Sequence, residues 1–493
     1  MQFPGLEIQE YGERSVVKSS LKTTLHLVIR YNTTLKSARQ GEAIAESALL
    51  AVKERFNPSL DNAFSVSRST SASSSFSDES APYLNFGQNN TQAFSSKLSK
   101  KTSNGISYSA TFAGSSSYNR TLRINEKGAD PEDLGKSDDP LRSTSLTLGM
   151  SIPIFQDWGE VNDIPVSRGQ VRLENSQVNT RRVTLQILET FSRIYWDLAG
   201  LWKTRQVLLE TIKVSEQLVE QNLLRVRYGQ LNSLDLKQSQ IQLYRSQNDL
   251  LELDNRIRAV EDQVKVALNL KTLPYGFLPG DSPNFRKIPF NFNQQLEKIY
   301  RNSVDINTLQ SNLKSIQLDL ENAYNKNQPD LDLNLSYTLK GADKEFSETF
   351  DIYDQSELSG YQVGLTWSVP LFDYQTEELI KQKNLERSQL DIELSLKKDE
   401  LYVDLKTIQR NLHFAEQDIK NSITIRELAE EMLKQEIEKN KLGQSTSYQV
   451  SQAQQDLTAS QSKEIQSLIN FEKIHLSLLV LTGDIFDQFQ IPR

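Results

Sequence analysis

The sequence predicts an α+β membrane protein in which β-strands from several copies close one barrel and long coiled-coil helices continue from it. Three observations carry this prediction. Some segments alternate between apolar and small polar residues over about nine to eleven positions, the length of a tilted membrane-spanning strand. Helical segments of about 65 residues follow them. One chain has too few such strands to close a barrel alone, because single-chain barrels start at about eight.

Composition excludes several classes of protein. The 493 residues include 56 Lys+Arg and 64 Asp+Glu, a net charge of −8 that argues against a basic nucleic-acid-binding protein. No window has the roughly 18 to 20 consecutive apolar residues of a membrane helix. The absence of cysteine excludes thiol catalysis and thiolate metal sites, and the three histidines show no metal-ligand spacing. We therefore expect no enzyme, no cofactor and no metal.

The strand segments have one apolar and one small polar face. The clearest runs are 146–154, 331–339 and 361–371. The first of them ends a strand region at about 59–155, which is Ser-rich from 59 to 118. Asn104-Gly105 predicts a hairpin turn between Phe94 and Phe112. Each copy thus supplies four strands, or six if this hairpin joins the barrel; three copies then give 12 or 18. If the hairpin does not join, it forms loop structure outside the membrane.

The long helices carry heptads. Apolar residues recur in alternating steps of three and four, which favours left-handed coiled-coil packing, and a second row predicts two neighbours for each helix. The seams include Leu188, Phe191, Tyr195, Leu198 and Trp202 in the first long helix, with polar Arg205 in the same register, and Leu401, Leu405, Leu412, Ala415 and Ile419 in the second.

Two matching segments indicate a tandem duplication. Gly229-Gln230 and Gly443-Gln444 lie 214 residues apart, and Pro153-Ile-Phe and Pro370-Leu-Phe lie 217 apart. We expect one repeat at 1–273, a linker at 274–292 and a second repeat at 293–493. The first repeat has N-terminal helices, strands at about 59–155, a long helix at about 165–228, a turn at 229–232 and a helix at about 233–270. The second has a helix at about 293–327, strands at about 331–339 and 361–371, a long helix at about 374–442, a turn at 443–446 and a helix at about 447–482.

This layout resembles the TolC-like outer-membrane factors over roughly residues 20 to 485. The resemblance rests on the duplicated order, the Pro-apolar-Phe strand ends at Pro153 and Pro370, and the Gly-Gln turns at Gly229 and Gly443. It implies a homotrimer with a barrel in outer-membrane lipid of a Gram-negative-type cell and most of its mass in the periplasm. It also implies export, so the absent signal peptide is best explained as removed.

The resemblance further implies the exit duct of a tripartite efflux or type I secretion system. Such a duct is a passive conduit that a periplasmic adaptor and an inner-membrane transporter open at its periplasmic tip. The alternative is a soluble coiled-coil scaffold or a periplasmic adaptor. An adaptor should show one helical hairpin flanked by lipoyl-like and barrel domains, and a scaffold would lack strands with a full apolar face.

The two turns are the candidate adaptor-docking tips. They comprise Gly229, Gln230 and Ser233 in the first half and Gly443, Gln444 and Ser447 in the second. Glycine permits the left-handed backbone that ends a helix, and either serine can cap the next helix. The plainer interpretation is that both are ordinary helix corners.

The family resemblance also implies a tip that can be closed, and we compare its residues with those of this chain to predict a gate. At the positions of its aspartate rings this chain has Gln449 and Gln452, and its tyrosine and arginine correspond to Asn440 and Ser445. Only the acidic position at Asp235 is kept. This departure puts an acidic, cation-binding gate in doubt.

We therefore expect a weakly charge-selective constriction lined by Gln449 and Gln452, with Asp235 and Lys237 free to pair across the subunit interface. These side chains could equally face neighbouring helices or solvent. In the strands, Tyr337, Tyr361 and Trp367 are candidates for an interfacial aromatic girdle, as opposed to buried structural aromatics.

Overall fold

A computed structural model describes residues 7–11, 14–77, 80–124, 132–136, 140–269, 274–351, 353, 359–369 and 371–492. The chain divides into two compact units. The helical unit comprises Met1–Ile44, Glu174–Ser311 and Leu390–Arg493, and the sheet unit comprises Ala45–Leu173 and Asn312–Gln389. Pro370, one of the predicted strand ends, lies outside the described residues.

Ten helices and ten strands occur in the described part of the chain. The helices are α1 Leu21–Tyr31, α2 Thr33–Lys53, α3 Ile164–Arg227, α4 Ser233–Ala267, α5 Phe292–Asn302, α6 Val304–Lys326, α7 Glu348–Asp351, α8 Tyr374–Lys441, α9 Ser447–Thr482 and α10 Ile485–Gln488. The strands are β1 Glu7–Tyr11, β2 Arg14–Ser19, β3 Ser59–Ser77, β4 Ser80–Lys101, β5 Ser107–Ile124, β6 Glu132–Lys136, β7 Leu141–Pro153, β8 Gly276–Pro279, β9 Asp330–Asp343 and β10 Ser359–Ser368.

The heptad residues form the core of the helical unit. Leu188, Phe191, Tyr195, Leu198 and Trp202 of α3 are all at most 6% exposed. They belong to one apolar cluster with residues of α1, α4 and α9, whereas the α8 seam from Leu401 to Ile419 forms a second cluster with α5 and α9. Polar Arg205 keeps its place in the register because Asp254 of α4 accepts a hydrogen bond from its Nε at 2.7 Å.

A small sheet in the helical unit lies where no strand is predicted. Its order is β1-β2-β8, and β8 pairs in parallel with β2 through Val16 and Gly276. Val16 and Phe277 are buried in the core. Next to this sheet, the Tyr195 hydroxyl donates to Asp281 Oδ2 at 2.8 Å, and the same oxygen accepts from Leu21 N at the start of α1.

A single residue separates α1 from α2 and another separates α5 from α6. The helix predicted at about 293–327 is wrong at Ser303, where the backbone turns extended (ψ 123°) and α5 ends. Ser303 Oγ then accepts from Ile306 N at 3.3 Å, which begins α6. Asn32 separates α1 from α2 in the same way, because its Oδ1 accepts from Thr34 N at 3.0 Å. A local side-chain acceptor outcompetes continued helix at both positions.

The sheet unit contains one seven-stranded sheet. The path is β10-β9-β7-β5-β4-β3, and every neighbouring pair is antiparallel. We call the end of the sheet that contains the C-terminal ends of β3 and β5 and the N-terminal end of β4 its distal part, and β6 pairs with β5 there. The hairpin around Asn104-Gly105 therefore joins the sheet and is not separate loop structure. Gly105 takes φ +91°, and Thr102 N donates to Ile106 O at 2.8 Å to close the turn.

The strands of the first half are longer than the predicted nine to eleven residues. β3, β4 and β5 have 19, 22 and 18 residues. Their distal parts carry little apolar alternation by which the sequence could reveal them, although Ala72, Phe86 and Leu122 form one apolar row. Cross-strand backbone pairing continues there, for example between Asn90 and Tyr118.

Candidate functional sites: the helical turns and the apolar face of the sheet

The two Gly-Gln turns have the same hydrogen-bond geometry. Gln230 N donates to Arg225 O at 2.8 Å and Gly229 N donates to Val226 O at 3.0 Å. Gln444 N and Gly443 N repeat the pattern to the carbonyls of Lys439 and Asn440 at 2.8 and 3.1 Å. Gly229 and Gly443 have φ of 72° and 75°. Both helices therefore end in a Schellman motif, whose left-handed residue glycine adopts without strain.

The caps of the following helices lie one residue earlier than predicted. Asn232 Oδ1 accepts from Leu234 N at 3.2 Å, and Thr446 forms a capping box with Gln449. The prediction that Ser233 and Ser447 are caps is therefore wrong. Both serines are first helical residues, because the Asn or Thr before each one already has the extended backbone that a cap requires.

Ser447 has a different structural role. It is 1% exposed, and its Oγ donates to Asn222 Oδ1 at 3.0 Å. Asn222, which is fully buried, donates from Nδ2 to Ser239 Oγ at 3.2 Å. One asparagine of α3 thus joins α4 and α9 through hydrogen bonds near the turns.

A second polar contact connects the two hairpins at the turns. Arg225 Nη1 donates to Asn440 Oδ1 at 3.1 Å, and Asn440 Nδ2 donates to Ser445 O at 2.9 Å. Ser445 Oγ in turn donates to Glu436 at 2.6 Å, and this contact together with the Lys439 ammonium lowers the pKa of Glu436. Arg225 and Glu436 were not among the predicted site residues, although their positions two turns or less from each glycine could have indicated them.

The four predicted gate residues have different surroundings in the structure. Gln449 accepts from Thr446 N at 2.9 Å and from Ser445 Oγ at 3.0 Å, so its amide serves the helix start. Gln452 is exposed and donates to Asp456 at 3.1 Å. Asp235 lies half-buried in the first turn of α4, and Lys237 is exposed. Their role in a constriction stays a prediction.

The strand registers place apolar and polar residues in alternating rows. One row across six strands consists of Leu60, Leu98, Ala110, Leu148, Tyr337 and Tyr361. The adjacent row consists of Ser59, Ser99, Ser109, Gly149, Ser336 and Gln362. Because successive residues point to opposite faces, the sheet has one apolar and one small polar face. Tyr361 and Leu60 are 84% and 61% exposed, so the chain leaves both ends of this apolar row uncovered.

The three predicted girdle aromatics lie on this apolar face. Tyr361 is directly opposite Tyr337, and Trp367, six residues further along β10, is opposite Leu331. Trp367 is 71% exposed. Tyr361 and Trp367 therefore mark the two ends of the apolar run in β10, and their role in an interfacial girdle stays a prediction.

Phenylalanines form an aromatic group on the same face that the sequence reasoning missed. Phe64 opposes Phe94, whose ring lies 5.5 Å from Phe112, and Phe350 of α7 stacks on Phe112 at 6.0 Å. Glycine makes room for them, because a Cβ at Gly114 would collide with the Phe94 ring. The pairing of alternate aromatics on neighbouring strands was the signal that could have revealed them.

No described helix has both the length and the hydropathy to cross a membrane. No three His, Cys, Asp or Glu side chains of the described residues are grouped so that they could hold a metal ion.

The model of the outer membrane efflux protein family matches residues 105–270, which include β5, β7, α3 and α4. The predicted family resemblance is confirmed. No curated protein sequence matches the chain.

Solved structures of an outer membrane protein and of two channels share this fold over nearly the whole chain. The outer membrane protein VceC of Vibrio cholerae is 14% identical, with a TM-score of 0.63 over 94% of this chain and 96% of its own. CusC, a transmembrane channel, is 13% identical, with a TM-score of 0.66 over 96% and 94%. The Neisseria gonorrhoeae outer membrane channel MtrE, in its open state, is 13% identical, with a TM-score of 0.61 over 94% and 88%.

Proposed function

We propose that the protein is a passive outer-membrane exit duct of a tripartite efflux system, built from three copies with one shared barrel. The observation that carries the proposal is the oblique apolar band of the sheet. In β3 the apolar run Leu60–Val66 begins at the row that contains Leu60 and Tyr361. In β10 the run Tyr361–Trp367 begins at the same row but extends in the opposite direction.

The offset of these runs has the magnitude of a barrel tilt. Their centres lie about six residues apart along the strands, which is roughly 20 Å at about 3.3 Å per residue. Five strand spacings of about 4.8 Å separate β3 from β10, roughly 24 Å. The band therefore climbs at about 40° to the strand perpendicular, within the usual tilt of about 35 to 45° for membrane barrels. A soluble sandwich has no reason to expose such a band.

The free edges of the sheet support closure by further copies. β3 and β10 are the two outer strands of the path. Lipid tolerates no unpaired strand edge, so β10 of one copy must pair with β3 of the next. Five antiparallel steps separate these strands, so they run in opposite directions and the new pair is antiparallel. Three copies of six strands give an 18-stranded barrel.

The helical unit also leaves an apolar surface that another copy can cover. The exposed residues on α8 follow steps of three, four, seven and eleven, the spacing of a coiled-coil seam. Each is more than half exposed: Ile392, Leu396, Val403, Phe414, Ile425, Leu428 and Met432. Such a seam is expected of a subunit interface.

The remaining assignments follow from the family resemblance. The matching Schellman turns at Gly229 and Gly443 support the proposed duplication into 1–273 and 293–493 joined by 274–292. They also present the adaptor-docking tips, with a periplasmic adaptor and an inner-membrane transporter as partners. No step of transport requires catalysis by the duct, because the transporter supplies the energy.

Cysteine cross-linking tests the closure. The chain has no cysteine, so one cysteine in β3, at 61, 63 or 65, combined with one in β10, at 362, 364 or 366, reports only the designed pair. We expect one of these combinations, the one whose two cysteines lie opposite each other on neighbouring copies, to give covalent trimers in the outer membrane on oxidation. The matched control replaces the cysteine in β3 by one at Ser99 of β4, the strand next to the edge, which should not cross-link. Monomers extracted without detergent would favour the soluble scaffold.

A further inference from the structure

The distal parts of β3, β4 and β5 continue well past the apolar band. β3 runs on to Ser77 from Val66, the last residue of its apolar run, and β5 runs on to Ile124 from Phe112. Beyond the band, the next two rows on the face that carries Phe64 and Phe112 are polar, and Ala72, Phe86 and Leu122 then form one apolar row. The polar residues are Arg68, Asn90 and Tyr118 in the first row and Thr70, Gln88 and Arg120 in the second.

This polar continuation cannot lie in lipid. Arginine on a lipid-facing position costs about 2 to 4 kcal/mol at the bilayer midplane. The backbone gives an independent reason. β3 has 19 residues and β10 has 10, so a neighbouring β10 leaves at least nine residues of the β3 edge unpaired. Unpaired strand edges are stable only in water.

The continuation is nevertheless an ordered sheet. Backbone pairing of β3 with β4 extends to Ser75 and Tyr83, and Arg68 Nε donates to Asn90 Oδ1 across the two strands at 2.7 Å. Phe86 lies directly opposite Leu122, a cross-strand pair that stabilises the distal part. On the opposite face of β3 lie Ser67, Ser69 and Ser71, so that face of the strand is rich in hydroxyl groups.

We propose that residues 67–77, 80–92 and 114–124 form a polar sheet that projects from the barrel rim into water at the cell surface. This rests on the proposed function, since it takes the apolar band as the lipid-facing belt. The helices α3 and α8 follow the opposite strand ends, so the projection points away from the periplasm. Each copy thereby exposes this polar sheet, which is rich in hydroxyl and amide groups, at the cell surface. Its free edge is the distal part of β3.

Single-cysteine labelling in intact cells tests the projection. Thr70→Cys and Phe64→Cys lie on the same face of β3, and the chain contributes no other thiol. With a membrane-impermeant maleimide, we expect full labelling of Thr70→Cys in intact cells. Phe64→Cys should remain unlabelled there and should react only after detergent and denaturant are added. Ser69→Cys reports the opposite face and should be labelled like Thr70→Cys.

Labelling of Thr70→Cys only after the outer membrane is permeabilised, while trimers form, would overturn the projection and leave the duct intact. Labelling of both cysteines together with an aqueous, monomeric protein would instead refute the proposed function. A second variant replaces residues 70–88 by Asn-Gly, which joins the opposing residues Ser69 and Asn89. It should retain trimers and transport; loss of trimers would also overturn the proposal.

Discussion

Individual residues at the turns show how little side-chain chemistry the hairpin ends require. Gly229 and Gly443 each occupy the left-handed region, and no atom within 4 Å would obstruct a Cβ at either position. Their requirement for glycine is therefore conformational and not steric. The neighbouring caps depend on ordinary hydrogen bonds of Asn232 and Thr446.

Replacement of Gly443 by alanine should lower the free energy of unfolding by about 1 kcal/mol, because a left-handed backbone costs an L-residue about 1 to 2 kcal/mol. Thermal or denaturant unfolding of the purified protein measures this. Gly360→Ala is the matched control, since Gly360 has open space around its Cβ position and no positive φ. Equal losses at both positions would contradict the conformational explanation.

Asn222 should be the most sensitive polar residue near the turns. Asn222→Ala leaves the buried hydroxyl of Ser447 without its acceptor, and a buried unsatisfied polar group costs about 1 to 3 kcal/mol. We expect a loss of that order in unfolding experiments. Gln221→Ala, at the exposed preceding position of α3, should change stability little; a comparable loss there would remove the role assigned to the buried network.

His475 should make stability depend on pH. It is buried beside Arg286, whose Nη2 lies 3.0 Å from Nδ1, and burial together with this positive charge lowers the pKa of His475 to about 4. The unfolded chain, with a pKa near 6.5, then binds more protons between pH 4 and 6.5, so the stability present above pH 6.5 is lost on acidification. At pH 5 the loss is on the order of 2 kcal/mol.

Unfolding of the wild type and of His475→Gln at pH 7 and pH 5 measures this contribution. Glutamine keeps an acceptor for Arg286, and it should reduce the loss on acidification. Burial raises the pKa of the neighbouring Glu472, and a raised pKa gives stability at low pH that is lost as pH increases. Glu472 thus opposes His475, but it remains in both proteins. An unchanged pH dependence would contradict the prediction.

At the scale of elements, the adjacent residues Phe64 and Ser65 of β3 lie on opposite faces of the sheet. Phe64→Asp introduces a charge on the apolar face, whereas Ser65→Asp introduces it on the small polar face. We expect Phe64→Asp to reduce strongly the amount of trimer in the outer membrane and Ser65→Asp to leave it almost unchanged, because only the first charge must enter lipid. Gel mobility of unheated outer-membrane samples measures trimer. Similar results at both positions would contradict a lipid-facing band.

The sequence predicts the long helices well because their signals are local. α3 and α8 end within a residue of the predicted 228 and 442, where glycine follows a heptad seam. The caps were misplaced by one residue because Asn232-Ser233 and Thr446-Ser447 each offer two good capping side chains in succession. Choosing between them requires the backbone angles, which local sequence does not specify.

Long-range pairing explains the elements that the sequence did not predict. β8 has four residues and pairs in parallel with β2, about 260 positions earlier, so neither strand carries a local pattern. The distal parts of β3 to β5 have too little alternation to predict a strand, and their pairing with one another is what reveals them. The hydrogen bond from Arg225 to Asn440 likewise joins two hairpins 215 residues apart, and only the fold brings them together.

For the whole molecule, the constriction that we propose at Gln449 and Gln452 predicts weak charge selectivity. In planar bilayers under a salt gradient, we expect a reversal potential near zero for the wild type and a shift towards cation selectivity for Gln452→Asp, because three carboxylates then face the pore. Gln221→Asp, on the exposed side of α3, is the control. Strong cation selectivity of the wild type would contradict the amide gate.

The opposite directions of β3 and β10 make each sheet a repeatable unit whose leading edge fits the trailing edge of any identical neighbour. Head-to-tail contacts of this kind close into a ring at whatever number the subunit rotation dictates. Strand pairing alone would accept two, three or four members equally well. In the trimer that we propose, the number of subunits would therefore be set by the angle at which the long helices α3 and α8 of adjacent copies pack.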